Sequence, residues 1–300
     1  MPSGAEMSGT EMQRRKLHVA FFAAYAGAMA AGLLFRGAYA YALLFGGMCA
    51  ALLRLAWRHV ASPSRGRLVA ECLFLAVAMN ASYQAMAGAV PIVRGTRLDA
   101  LLYGIDVAVW GTSPNVWAER FASPWLTEVL SVCYIFFMPL LFGSLLRYFF
   151  WRRELLGEFY AGLFTVYGLG FLGYLLVPAM GPYLAYPELF SVTLEGGPIT
   201  QLNTLMVVEG SNKVDVFPSL HCAVSTFILV FAWRHHRREF WLLLAPVVGL
   251  WLSTIYLRYH YLVDVACGFA LAAFAARVAA RFAENTNKGE VGVHASGFQR

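Results

Sequence analysis

Two short stretches of this 300-residue chain bring acid–base and nucleophilic side chains together. The later one reads Arg258, Tyr259, His260, Tyr261, Leu262, Val263, Asp264. His260 and Asp264 stand four apart, a spacing that puts both on one face of a helix. The carboxylate can then accept a hydrogen bond from one ring nitrogen, which fixes the tautomer and frees the other nitrogen to attack. This is the logic of the serine-protease triad with imidazole itself as nucleophile. Asp264 lies about a turn inside an apolar run, where an ionisable group is costly and usually functional. The bland alternative is a structural His–Asp pair between helices. The earlier stretch, Phe217, Pro218, Ser219, Leu220, His221, begins another apolar run. Pro beside Ser is a helix-initiation signal, and the unpaired N–H groups of a first helical turn suit an anion. Ser219 as a plain cap and His221 as an interfacial residue remain the simpler reading of that stretch alone.

These residues need elements to hold them, and composition says which. The chain is 59% hydrophobic and 13% charged, with a mean hydropathy of +0.59. That is too apolar for an ordinary soluble domain. Crossing roughly 30 Å of hydrocarbon takes about 20 apolar helical residues. About eight runs qualify, near 17–35, 39–57, 68–90, 126–149, 158–178, 217–233, 240–257 and 259–282. None alternates as barrel strands do, so the expected fold is all-α, a polytopic transmembrane helical bundle. A cleaved signal peptide, suggested by Arg14, Arg15 and Lys16 before the first run, is disfavoured by the second long run that follows at once.

The net charge of +6 does not indicate nucleic acid, because the basic residues sit in clusters between runs. Arg14, Arg15 and Lys16, then Arg58, Arg65 and Arg67, then Arg152 and Arg153, then Arg234, Arg237 and Arg238, then Arg281 and Lys288 recur after every second run. The positive-inside pattern makes both termini cytoplasmic. His221 and His260 then share the opposite face, periplasmic for a bacterial inner-membrane protein or lumenal in a eukaryote. Neighbouring helices joined by short loops bring them together. Two histidines, a carboxylate, Arg258 and a helix N-terminus on one face constitute the parts of a phosphoryl-transfer site.

The rest of the chain reads as one membrane domain, 17–283, between a tail at 1–16 and a polar tail at 284–300 expected to be disordered. Residues 98–110 have the pattern of a short surface helix, with Asp99 and Asp106 off its apolar face and a connector as its simplest role. The loop from Ala179 to Val216 is long enough to carry function or disorder. Cys49, Cys72, Cys133, Cys222 and Cys267 match no metal or redox spacing and read as packing residues. Glu71 and Asn80 suggest hydrogen bonding between helices, Glu128 suits a helix N-terminus, and Trp110, Trp117, Trp125 and Trp151 suit interfacial belts.

Pro218, Ser219, Leu220, His221 resembles the second signature of the type 2 phosphatidic acid phosphatase superfamily, usually Pro-Ser-Gly-His. Ser253, His260 and Asp264 match its third, Ser, Arg, five residues, His, three residues, Asp. The resemblance implies a core of that family's type, with His260 forming a phosphohistidine, Asp264 orienting it, and His221 protonating the leaving group and activating the acceptor. It implies no metal and no cofactor. The chain departs from the pattern at Thr254, where the signature has Arg, at Leu220, where it has Gly, and in lacking the first signature, since it has no Arg-Pro pair. Phosphate binding is left to Arg258, Ser219 with the backbone after Pro218, and Lys213. Gly181, Pro182 and Tyr183, with His260, Tyr261 and Asp264, look like the inositol phosphorylceramide synthase branch, which adds Gly181 and Tyr183 as pocket residues. Members of that branch move a phosphorylated head group between lipids, and bacterial relatives include plain phosphatases. The partners implied are a lipid phosphate or phospholipid substrate and membrane lipids, with no nucleic acid and no obligatory protein partner. The competing class is a non-catalytic transporter or lipid-binding scaffold. It fits less well, because transport sites occupy the bilayer midplane in broken helices.

Overall fold

The computed structural model describes residues 17–57 and 65–297. Arg14, Arg15, Lys16 and Arg58, the tail at 1–16 and residues 298–300 lie outside them. Among the described residues every regular element is helical. In chain order these are α1 (Leu17–Phe35), α2 (Tyr39–Trp57), α3 (Arg65–Val93), α4 (Asp99–Trp110), α5 (Pro114–Ala118), α6 (Pro124–Ile135), α7 (Phe137–Phe150), α8 (Leu156–Leu176), α9 (Pro182–Ala185), α10 (Pro198–Gly210), α11 (Leu220–His235), α12 (Arg237–Tyr256) and α13 (Leu262–Gly297).

Seven segments, of 19 to 27 residues, are long and apolar enough to cross a bilayer. At 1.5 Å per residue even the shortest reaches about 28 Å. The chain is an integral, multi-pass membrane protein. Helices α6 and α7 make one of these segments, broken only at Phe136. The eighth expected run forms α11, which has 16 residues. It is shorter than expected because Phe217 and Pro218 stay outside the helix and Ser219 caps it, its Oγ accepting from Cys222 N at 3.3 Å. Ten of its residues are buried, packed against α8, α12 and α13. Helix α8 is the centre of the bundle, with 78% of its most apolar stretch buried.

The loop expected between 179 and 216 holds two helices, α9 and α10. Glu128 does sit at a helix N-terminus, but that of α10. Its carboxylate accepts from Ile199 N and Thr200 N at 2.9 Å each and from Thr200 Oγ1 at 2.7 Å. Where the sequence suggests a disordered tail after 283, α13 continues to Gly297; no proline interrupts that stretch. Glu71 pairs with Arg67 of its own helix at 3.5 Å, and Asn80 is exposed. Trp110, Trp117, Trp125 and Trp151 are all exposed, as interfacial residues are.

Candidate active site

His260 lies outside any helix. It occupies the turn between α12 and α13, two residues before α13 begins. The expected shared helical face is therefore not what joins it to Asp264. Asp264 is the third residue of α13, and its Oδ2 accepts from Tyr261 N at 2.9 Å, the reciprocal half of a capping box. This folds the turn back over the helix start and sets His260 Nδ1 3.1 Å from Asp264 Oδ1. The approach is off the N–H line, and neither atom has another partner among the described residues. Both side chains are buried, at 3% and 0% exposure. A carboxylate held there fixes the proton on Nδ1 and turns Nε2 outward.

His221, in the first turn of α11, faces that nitrogen. Its Nδ1 lies 3.4 Å from His260 Nε2. Its ring packs between Tyr134 and Phe137, with centroids 4.7 and 4.5 Å away. The helix starts carrying the two histidines are locked together by their backbones, since Ser219 N donates to Asp264 O at 3.1 Å. Gly268 makes this possible, because a Cβ there would sit 2.6 Å from Ser219 O.

The surface helix α4 does more than connect. Asp106, 1% exposed, accepts from Leu262 N at 2.7 Å and Val263 N at 2.9 Å, capping α13 from outside the chain segment. Asp99 accepts from Met180 N, Gly181 N and Tyr261 Oη at 2.9 to 3.1 Å. Burial raises both carboxyls above the ordinary range, and the N–H groups they accept from act against that rise. Just beyond α4, Asn115 Nδ2 donates to Ile255 O at 2.8 Å and His260 O at 3.0 Å. The turn carrying His260 is thus gripped on its carbonyl side by Asn115 and on its N–H side by Asp106. The sequence marks Asp99 and Asp106 only as polar positions on an amphipathic helix. Nothing in it singles out Asn115.

Both histidines line a cavity of about 120 Å³ whose walls include Tyr83, Tyr134, Tyr183, Asn203, Asp215 and Tyr259. Two further wall residues, Met138 and Met206, are 43% and 37% exposed. Of the residues expected from the sequence, His221, His260 and Tyr183 reach the cavity, and Asp264 supports it from behind. The others are placed differently. Ser219 is fully buried as a helix cap. Gly181, at φ 87°, packs so closely under the catalytic turn that a Cβ would lie 2.5 Å from Tyr259 O, and it shapes the floor rather than the lining. Lys213 does not line the cavity, and its carbonyl accepts from Arg97 at 3.1 Å. Arg258, at φ 67°, points away. Its guanidinium meets Glu119 at 2.8 Å and Val192 O at 2.6 Å and lies over Phe190. Burial pushes its pKa down, with Glu119 opposing. Neither Lys nor Arg is among the residues lining the cavity.

Residues 102–278 match the PAP2 superfamily, and the chain belongs to it. A phosphoinositol dihydroceramide synthase of Bacteroides thetaiotaomicron is 30% identical over 149 residues, which are 45% of this chain and 48% of that protein. The chain thus spans about half the length of the curated relative it matches. No solved structure matches it.

Proposed function

We propose that the protein is a membrane-embedded lipid phosphatase or phosphotransferase working through a phosphohistidine. The observation that carries this is His260, held at 3.1 Å by Asp264 and facing His221 at 3.4 Å in one cavity. Membership of the PAP2 superfamily and the name of the Bacteroides relative support the same class.

The chemistry follows from the two rings. Asp264 keeps the Nδ1 proton of His260, so the Nε2 lone pair attacks phosphorus. As the N–P bond forms, the bond from phosphorus to the leaving oxygen breaks, and that oxygen takes its proton from His221. An acceptor hydroxyl, from water or a second lipid, then gives its proton to His221 and attacks phosphorus, and the N–P bond breaks. Aromatic packing by Tyr134 and Phe137 holds the His221 ring in place for this proton transfer. The basic clusters between the spans support a site on the periplasmic or lumenal face and cytoplasmic termini.

The test is incubation of the purified full chain with labelled phosphatidic acid, an isoprenoid pyrophosphate, and phosphatidylinositol plus ceramide. Release of phosphate or appearance of a new phospholipid, absent in His260→Ala, is expected. If none of these substrates is consumed, the reading fails.

A further inference from the structure

A polar side chain that faces lipid needs a protein partner, and α3 carries two without one. Asn80 and Gln84 are the only Asn or Gln residues in the seven candidate spans. They fall in the span Val69–Val93, eleven and fifteen residues after Val69. At 1.5 Å per residue Asn80 lies about 17 Å from one end of that span and about 20 Å from the other. This is the middle of the roughly 30 Å hydrocarbon core. Both side chains are exposed, and neither is hydrogen-bonded to another described residue. No water is present at that depth to satisfy a carboxamide, so its donors and acceptor call for another helix.

The two residues belong to one stripe. Leu73, Val77, Asn80, Gln84, Ala87 and Pro91 are all exposed, Leu73 and Val77 at 53% and 68%. Their spacing alternates four and three residues, the seam of a left-handed helix pair. The opposite face, with Leu75, Ser82 and Met86, is the one that α3 buries in its own bundle. A carboxamide both donates and accepts. Across a two-fold axis along the membrane normal, Asn80 therefore meets Asn80 and Gln84 meets Gln84, each pair bonding reciprocally at equal depth. A polar residue within an apolar seam also fixes register and the number of helices. A different membrane protein would need matching groups at both depths on the same spacing, whereas a second copy has them by symmetry. We infer that the outer stripe of α3 is the interface of a homodimer, closed in mid-bilayer by Asn80 and Gln84. Helix α3 precedes the residues that match the superfamily, so the chemistry of the superfamily does not account for this pair.

The experiment counts protomers by photobleaching of the full chain, one fluorophore each, in phosphatidylcholine liposomes over a range of protein-to-lipid ratios. The wild type is expected to bleach in two steps. Asn80→Leu combined with Gln84→Leu gives a stripe as apolar as lipid and is expected to raise the dissociation constant about tenfold or more, so that single steps dominate at the same ratio. Both positions are exposed, and the double variant is expected to keep the helical content of the wild type. In native membranes, oxidation of Val77→Cys should yield a crosslinked species of twice the chain's mass. Leu43→Cys, on α2 and 77% exposed, should yield no more of it than the wild type does. One step at every ratio for the wild type, or more than two, overturns the inference. So does a dimer that survives the double substitution, or a Val77→Cys adduct with a different protein.

Discussion

Asp106 is the residue whose removal most sharply tests how the turn carrying His260 is held. Its carboxylate caps the first two N–H groups of α13 at 2.7 and 2.9 Å while only 1% exposed. Each hydrogen bond to a charged group contributes about 1.5–3 kcal/mol. Asp106→Asn keeps one acceptor oxygen and turns an amide donor toward the other N–H, so one such bond is lost, about 1.5–3 kcal/mol. At 1.4 kcal/mol per factor of ten, local opening of this helix start becomes about 10- to 150-fold more frequent. Hydrogen exchange measured by mass spectrometry on peptides covering 258–270 should accelerate by that factor, with peptides from α8 unchanged. kcat should fall in step, because His260 frays with the turn, while KM changes little. Unchanged exchange at 258–270, or equal acceleration in α8, would refute the claim that α4 holds the catalytic turn.

Other substitutions probe separate contacts. Asn115→Ala strands the carbonyl of His260, while that of Ile255 still accepts from Arg258 N at 3.0 Å, and should cost about 1–3 kcal/mol, seen as a lower unfolding temperature in detergent together with reduced kcat. Gly181→Ala forces a side chain into a left-handed conformation under Tyr259, a penalty of about 1–2 kcal/mol before the clash, and should abolish activity at temperatures the wild type tolerates. Arg258→Gln breaks an ion pair in which both side chains are about nine-tenths buried. It should destabilise by about 3 kcal/mol yet leave KM within twofold; a hundredfold rise in KM would restore Arg258 as a phosphate clamp.

The spans were legible because apolar length is a local property, and α11 fell short only because proline and a serine cap delay its start. His260 and Asp264 were paired correctly from an incorrect geometry. The spacing suggests a shared helical face, whereas the contact arises from a loop folded onto a helix start by Asp264 capping Tyr261. Arg258 looks available in the sequence because its partner Glu119 lies 139 residues away and no local pattern links them. Asp106 and Asn115 escaped for the same reason, since their partners are 157 and 145 residues distant at the farthest. What periodicity shows for Asp106 is only which face of α4 it occupies. The helix within 198–210 was hidden by a sequence whose polar and apolar residues define no single stripe, because one side faces the cavity and the other is exposed.

The central claim is that phosphorus passes through His260 Nε2. Rapid quenching of the purified protein with phospholipid labelled in its phosphorus, followed by base-stable, acid-labile mapping of the label, tests it directly. The account predicts label on the peptide containing His260, absent in His260→Ala and retained, with slower turnover, in His221→Ala when the leaving group is a good one. Turnover in which the label lies on another residue, or continues undiminished in His260→Ala, would contradict it.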